Sequence, residues 1–166
     1  MLIQDVIKVT LDTNILIRGL IAKKRNKESA SYKILRQIES NKFRVMTNSR
    51  IIAEYREKLN SLASTGKINK SDADHYLKII LSKQIIGRVS INSIIDIQED
   101  PSDNIYFQSD NCLKADYLIT ENTKHFNNTI KEDIKKLNLK LRIVSSKEFL
   151  KLIKNHNKEN KNHNKK

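Results

Sequence analysis

The chain has 166 residues, of which 38% are apolar, and its 32 basic and 19 acidic residues give a formal net charge of +13. This length suits one folded domain, the single cysteine excludes an intrachain disulfide and is typical of a reducing compartment, and no apolar run reaches the ~20 residues of a membrane span. We therefore expect a cytoplasmic protein, and the positive charge favours an anionic partner such as nucleic acid, a membrane surface or an acidic protein.

Strands and helices alternate in the predicted order of elements. Runs of β-branched residues such as VIKVTL are typical of strands, and apolar residues three or four positions apart are typical of helices. In chain order we predict a strand at 6–11, helices at 15–22 and 32–38, a strand at 43–47, helices at 51–62 and 71–81, one or two strands within 85–97, a helix at 101–112, strands at 117–120 and 141–144, and a helix at 145–153.

Capping residues mark several of the predicted helix starts. Asn48 or Ser49 can cap the helix at 51–62. Ser71 with Asp74, and Ser145 with Glu148, resemble capping boxes. The last stretch, 154–166, is a Lys/Asn/His run without apolar periodicity, for which we predict a disordered basic tail behind a single domain at 1–153.

The alternation predicts an α/β fold, with βαβ units and a mainly parallel central sheet covered by helices on both faces. Ligands of such sheets bind outside the carboxyl ends of the strands. Asp12 directly follows the first strand, Asn122 follows the strand YLIT, and Asp103 stands near the start of a helix. Glu54 lies next to the apolar face of its own helix.

Carboxylates brought together without a cation repel one another, and a hard divalent ion such as Mg²⁺ or Mn²⁺ removes that repulsion. Such an ion can activate a water and neutralise the charge on a phosphodiester. Each position also has a simpler interpretation: Asp12 and Asp103 can be helix caps, and Glu54 can be a solvated charge. Asp100 can be a turn residue, and Asp116 can hold a loop.

Four stretches, in this order along the chain, carry a family resemblance. They are LDTNILIRGL at 11–20, NSRIIAEYREKL at 48–59, DPSDNIYF at 100–107 and ADYLITENTKHF at 115–126. Together they resemble the PIN-domain nucleases, and in particular the bacterial toxins of toxin–antitoxin systems. The resemblance implies a small three-layer α/β/α sandwich with a parallel sheet, whose acidic residues bind Mg²⁺ or Mn²⁺ and cleave RNA to leave a 5′-phosphate and a 3′-hydroxyl.

Matched position by position, the resemblance implies that Asp12, Glu54 and Asp103 hold the metal ion. The position that is often Asp after the last motif strand is Asn122 here, an uncharged residue that can orient a water through its carbonyl. We predict that Asp116 supplies part of the missing charge as a further metal ligand. Thr13 and Asn14 are expected to orient Asp12. Thr120 can hydrogen-bond an acid or the water on the metal, and the alternative is a buried strand-end hydroxyl that satisfies the backbone.

Basic residues near the acidic pocket are expected to hold RNA phosphates. The candidates are Arg18, Lys23, Lys24, Arg25 and Lys124. For each of them a solvated surface charge is the alternative. We interpret His125 as a structural or surface histidine, and the histidines at 75, 156 and 163 lack a ligand partner in sequence, so zinc is not expected.

Two other classes of function remain open at this stage. A degenerate PIN-like RNA-binding module without catalysis would explain Asn122. A phosphotransfer domain also places Asp after a first parallel strand, but the sequence lacks the phosphatase DxDx[TV] stretch and the acidic pair of a receiver. For a toxin, the resemblance further implies an antitoxin that inserts a peptide into the acidic groove, and often a homodimer; no membrane partner is expected.

Overall fold

A computed structural model describes residues 6–83, 85–89, 95–97, 100–126 and 128–163. Its sheet has five strands in the order β3-β2-β1-β4-β5, and every neighbouring pair is parallel. The strands are β1 (Lys8–Leu11), β2 (Arg44–Asn48), β3 (Ile85–Gly87), β4 (Tyr117–Ile119) and β5 (Arg142–Val144). The parallel sheet confirms the predicted fold class.

Helices cover both faces of the sheet. They are α1 (Thr13–Lys24), α2 (Ala30–Glu39), α3 (Ser49–Ser64), α4 (Lys70–Lys83), α5 (Asp110–Leu113), α6 (Asn128–Lys136) and α7 (Ser146–His163), with a 3₁₀ helix at Pro101–Phe107. Successive strands are added toward one side of the sheet up to β3 and toward the other side after it. Since parallel crossovers are right-handed, this reversal places α1 to α4 on one face, and the 3₁₀ helix, α5 and α6 on the other. α7 packs against α2. This is the three-layer α/β/α arrangement.

The core consists mainly of Ile, Leu and Val side chains between these layers, as expected from a chain without tryptophan. Its few aromatic rings form local contacts: Phe149 of α7 meets Phe43 and Tyr117 edge-on, with ring centroids 5.2 and 5.5 Å away. Cys112 is buried in α5 as a packing residue. Within the described residues, no helix has the length and apolarity needed to cross a membrane.

The predicted caps are partly confirmed. Asn48 caps α3, because its side-chain oxygen accepts the amides of Arg50 and Ile51. Ser145 and Glu148 exchange hydrogen bonds at the start of α7, as a capping box does. The capping box predicted for Ser71 is wrong: α4 begins at Lys70, since the carbonyl of the preceding Asn69 already accepts the amide of Ala73.

Three predicted elements differ in form. The helix predicted at 101–112 is broken into the 3₁₀ helix and α5, because Ser109 between them leaves the helix to bridge Val89. Of the segment 85–97, the structure shows β3 and that bridge, while residues 90–94 lie outside the described residues. Residues 154–163 continue α7, in place of the disordered tail that we predicted there; their Lys/Asn/His composition contains no Pro or Gly to end the helix.

Candidate functional site

The carboxyl ends of β1 and β4 meet at the centre of the sheet. β1 pairs with β2 on one side and with β4 on the other, and the chain direction through the sheet reverses between these neighbours. Such a switch point leaves a crevice where the loops after the two strands separate, which is the usual ligand site of an open α/β sheet. Asp12 leaves β1 at this point, with its amide bonded to the carbonyl of Ile119 in β4 at 3.0 Å.

Asp12 is buried, with a relative exposure of 2%, and its carboxylate is held by three hydrogen bonds. Its Oδ2 accepts the hydroxyl of Thr120 at 2.6 Å, and its Oδ1 accepts the amide of Asn14 at 2.9 Å. The Tyr106 hydroxyl donates to Oδ1 at 3.3 Å. Asp12 therefore caps α1 and also faces the crevice, and the predicted roles of Asn14 and Thr120 in orienting it agree with this geometry.

Tyr106 belongs to the site, although the sequence reasoning did not single it out. Its hydroxyl also accepts the Thr13 amide at 3.1 Å, and it lies 3.4 Å from the Thr13 hydroxyl. In a 3₁₀ helix, residues three apart lie on the same edge, so Asp103 and Tyr106 point the same way. The three-residue spacing between them within DPSDNIYF was the available signal, because it places both side chains on one face of a helix.

Asp103 lies inside the 3₁₀ helix, and the cap at its start is Asp100, which accepts the Ser102 amide at 3.1 Å. The interpretation of Asp103 as an N-cap is therefore wrong. Burial, followed by repulsion from Asp12 and Asp100, raises the pKa of Asp103 to about 6, although the hydrogen bond with His125 acts in the opposite direction. The Asp103 carboxylate is thus poorly solvated, and its charged form is destabilised.

Glu54 lies on α3 and interacts with Thr13, the residue after Asp12. It is half-buried, and burial is the largest cause that raises the pKa of Glu54; a hydrogen bond with Thr13 lowers it, and repulsion by Asp12 raises it further. Asp12 therefore acts electrostatically on Glu54 as well as on Asp103. The shared influence of Asp12 is the relation that the structure gives between these acids; that the three hold one ion stays a prediction.

Asn122 lies at the edge of the site. Its backbone amide donates to the Thr120 hydroxyl at 3.0 Å, and its backbone carbonyl accepts the backbone amide of His125 at 3.0 Å. This turn carries the His125 imidazole to Asp103, with Nδ1 2.9 Å from Oδ2, and to within 3.8 Å of Oδ2 of Asp100. His125 was interpreted as a structural or surface residue, because nothing in one sequence relates it to a carboxylate 22 positions away.

Asp116 lies at the amino-terminal ends of the strands, opposite to the carboxyl ends where Asp12 lies. The prediction that Asp116 is a metal ligand of this site is therefore wrong. Asp116 precedes β4, where its Oδ2 accepts the Lys8 amide at 2.8 Å and its Oδ1 pairs with Lys140 at 2.7 Å. The four-residue step from Asp116 to Thr120 along an extended chain spans ~13 Å. The carboxylate therefore joins the starts of β1 and β4.

The predicted phosphate-binding residues are dispersed. Lys124 is exposed beside Asn122, and Arg18 is exposed on α1. Lys23 is ~16 Å along α1 from Asp12, and it pairs with Asp72 of α4 at 2.8 Å. Lys24 bonds the carbonyl of Gly66, and Arg25 is exposed at the end of α1. Lys124 lies in the turn after β4 that also carries Asn122 and His125, and the RNA roles of all five residues stay predictions.

The donor set fits a divalent cation. Asp12 and Asp103 are buried, and Glu54 is half-buried. Among the described residues no lysine or arginine forms an ion pair with any of the three, and the basic side chain at Asp103 is the imidazole of His125. Buried carboxylates are normally paired or bound to a metal, because an isolated buried charge is costly. The three residues offer only oxygen atoms, which Mg²⁺ and Mn²⁺ accept as ligands.

Comparisons with known proteins agree with this geometry. The family model described as “PIN domain” matches residues 8–124, which is more than half of the chain and includes Asp12, Glu54, Asp103 and Asn122. A search of curated proteins found no match, and neither did a search of solved structures. PIN domains are generally nucleases that use divalent metal ions. On the extent of this match and the acids at the switch point, the chain belongs to the PIN-domain family.

Proposed function

We propose that this protein is a metal-dependent endoribonuclease that hydrolyses RNA phosphodiester bonds in the cytoplasm. The observation that carries the proposal is that Asp12, buried at the switch point, acts on both Glu54 and Asp103, whose pKa values are raised by burial and by repulsion from Asp12. The candidate site is acidic, in a chain whose formal net charge is +13. A polyanionic substrate fits the basic exterior, and a cation fits the acidic interior.

The chain's own residues have separable roles in this proposal. Asp12, Glu54 and Asp103 would hold Mg²⁺ or Mn²⁺, and Asn122 would orient a water through its carbonyl. When bound, the ion supplies Lewis-acid chemistry, which lowers the pKa of an attacking water and offsets charge on the phosphodiester. Thr120 and Tyr106 fix the orientation of the Asp12 carboxylate. The loop that carries Lys124 would contact substrate phosphates.

Substitution of Asp12 tests catalysis directly. Asp12→Asn keeps the shape of the side chain but removes its charge, and we expect RNA cleavage in Mn²⁺ to fall to background. Asp116→Asn is the matched control, because it makes the same change at the other edge of the sheet and should retain cleavage. Circular dichroism of both variants checks that they are folded.

A labelled single-stranded RNA and a DNA of the same sequence distinguish the substrate class. Cleavage of the RNA alone supports the proposal. Equal cleavage of both strands would overturn the ribonuclease assignment and leave a general nuclease. Wild-type rates in Asp12→Asn would remove Asp12 from the chemistry and overturn the site itself.

A second candidate is a degenerate PIN-like domain that binds RNA without cleaving it. The observation in its favour is Asn122, which leaves the site one charge below the usual family pattern. Calorimetric titration with Mn²⁺ separates the two functions. A nuclease binds the ion and loses that binding in Asp12→Asn, whereas the degenerate domain binds RNA equally well with and without the ion.

We further propose that the nuclease is the toxin of a toxin–antitoxin pair, as a homodimer that an antitoxin peptide inhibits at the acidic groove. The support is the resemblance of the four motifs to the toxin branch. Induced expression in a bacterial host tests it: growth should stop with the wild type and continue with Asp12→Asn. Where a small gene lies directly upstream, its co-expression should restore growth.

A further inference from the structure

His125 lies against the acidic site without belonging to the set of oxygen ligands. Its Nδ1 is 2.9 Å from Oδ2 of Asp103, which is one of the three acids, and 3.8 Å from Oδ2 of Asp100. One donor atom from each of Asp100, Asp103 and His125 lies within 4.8 Å of the other two. An ion with bonds of about 2.1 Å spans about 4.2 Å between opposite ligands, so these donors need only a small closure to share one ion.

We propose that His125 supplies an imidazole nitrogen to the divalent ion held by Asp103, and that the site therefore prefers a first-row transition ion such as Mn²⁺ or Co²⁺ to Mg²⁺. This inference rests on the proposed function for its metal ion, but not on cleavage. Mg²⁺ takes oxygen ligands in near-ideal octahedral geometry, whereas imidazole suits transition ions. A nitrogen donor beside the carboxylates thus shifts the binding preference of the site from Mg²⁺ toward transition-metal ions.

The two oxygen atoms of the Asp100 carboxylate have different neighbours, which supports a defined position for a metal ligand. Oδ1 accepts the amide of Ser102 at 3.1 Å and its hydroxyl at 2.6 Å, so it caps the 3₁₀ helix. Oδ2 faces His125. Capping therefore fixes the carboxylate in place while the second oxygen points toward the imidazole and Asp103.

The position of His125 is also fixed and accessible. Its backbone amide is held by the Asn122 carbonyl at 3.0 Å, in the turn that follows β4. The side chain is 32% exposed, while that of Asp103 is 12% exposed. A hydrated ion can therefore approach the imidazole from solvent and still reach the buried carboxylate, keeping water molecules on its outer side.

Nitrogen ligation is tested on the full chain by electron spin echo spectroscopy with Mn²⁺, in the absence of RNA. We expect ¹⁴N modulation from the wild type and its loss in His125→Gln. The matched control is His75→Gln, because His75 also pairs with a carboxylate, Glu39 at 2.8 Å, but does so on another pair of helices. That variant should keep the modulation. No modulation from the wild type, or its persistence in His125→Gln, overturns the proposal.

Calorimetry gives the second measurement. In His125→Gln we expect the Mn²⁺ affinity to fall about tenfold or more, with a change of less than about twofold for Mg²⁺. Asp100→Asn, which leaves the histidine in place, should lower the Mn²⁺ affinity and keep the modulation. Equal losses for both ions in His125→Gln would show a general structural effect and contradict the selectivity.

The outcomes for this inference and for the proposed function are separable. A protein that shows His125-dependent nitrogen modulation but cleaves no RNA retains the mixed ligand set and loses the nuclease assignment. A protein that cleaves RNA through Asp12 but shows no nitrogen modulation retains the nuclease and loses the role of His125.

Discussion

The hydroxyl of Thr120 donates a 2.6 Å hydrogen bond to Oδ2 of Asp12, across 108 residues of sequence. The two residues directly follow β4 and β1, which are neighbours at the centre of the sheet. The same hydroxyl accepts the amide of Asn122 at 3.0 Å. Thr120 therefore couples the orientation of the first acid to the turn that carries Asn122 and His125.

Thr120→Val should reduce cleavage by about 10- to 100-fold without abolishing it, because residues that orient a metal ligand typically affect affinity or activity to this extent. The variant keeps the shape of the side chain but removes the hydroxyl that Asp12 and the Asn122 amide share. Single-turnover cleavage rates at saturating Mn²⁺ measure the effect. The control is Thr10→Val, a buried β1 threonine whose hydroxyl contacts no site acid within the described chain; an equal loss there would indicate a general packing effect.

Asp103→Asn should stabilise the metal-free protein more at pH 7.5 than at pH 4.5. Burial raises the folded-state pKa of Asp103 to about 6, so the folded protein binds more protons than the unfolded chain between about pH 4 and 6. Stability is therefore lost as the pH rises through this window. The hydrogen bond with Asp103 raises the pKa of His125, and the stability from that pair is likewise present at low pH and lost as the pH rises.

Thermal melts in EDTA at the two pH values measure this difference, since the neutral amide of the Asp103→Asn variant titrates at neither. Melts in saturating Mn²⁺ are the control: the ion holds the carboxylate in its charged form, and the wild type should then be the more stable protein at pH 7.5. A stability difference that is the same at both pH values in EDTA would contradict the pKa assigned to Asp103.

Asn48→Ala should destabilise the fold by roughly 1–3 kcal/mol. The side chain of Asn48 caps α3, and its Nδ2 donates to the Ile105 carbonyl at 2.8 Å and to the Ser109 hydroxyl at 3.2 Å. The substitution removes both the cap and the attachment of the 3₁₀ helix that carries Asp103. Urea denaturation gives the free energy of unfolding. Ser29→Ala, which removes only the α2 cap, should cost less, and a larger cost for Ser29→Ala would count against the second role of Asn48.

Lys124→Ala should weaken RNA binding and lower the slope of the affinity against salt concentration by about 0.7, the value for one phosphate contact on a single strand. The measurement uses fluorescence anisotropy in the non-cleaving Asp12→Asn background. Lys23→Ala is the comparison, because the Lys23 ammonium is already paired with Asp72 and should contribute little. A larger effect at Lys23 would place the RNA along the far end of α1 instead.

Much of the site was predictable from residue order alone. Asp12 directly follows β1, and Glu54 belongs to the helix α3, which directly follows β2, so the parallel sheet brings these two elements to the same end of the sheet. Asp103 belongs to the 3₁₀ helix between β3 and β4. The position of Asp116 follows from the same rule, because a residue that precedes a parallel strand lies at the edge opposite to one that follows it. Its assignment to the metal site was wrong because proximity in sequence to Thr120 does not mean proximity in space along an extended strand.

The local sequence by itself determined the order of the strands and of most helices, the Asn48 and Ser145 caps and the position of Asp12 at a strand end, because hydrophobic alternation and capping each depend on residues close together in the chain. The helix α6 was not predicted. Tertiary structure decided the rest. The contacts of Tyr106 with Asp12 and of His125 with Asp103 join residues 94 and 22 positions apart. These contacts depend on how the 3₁₀ helix and the turn after β4 pack against each other. The residue pattern within either segment does not indicate that packing.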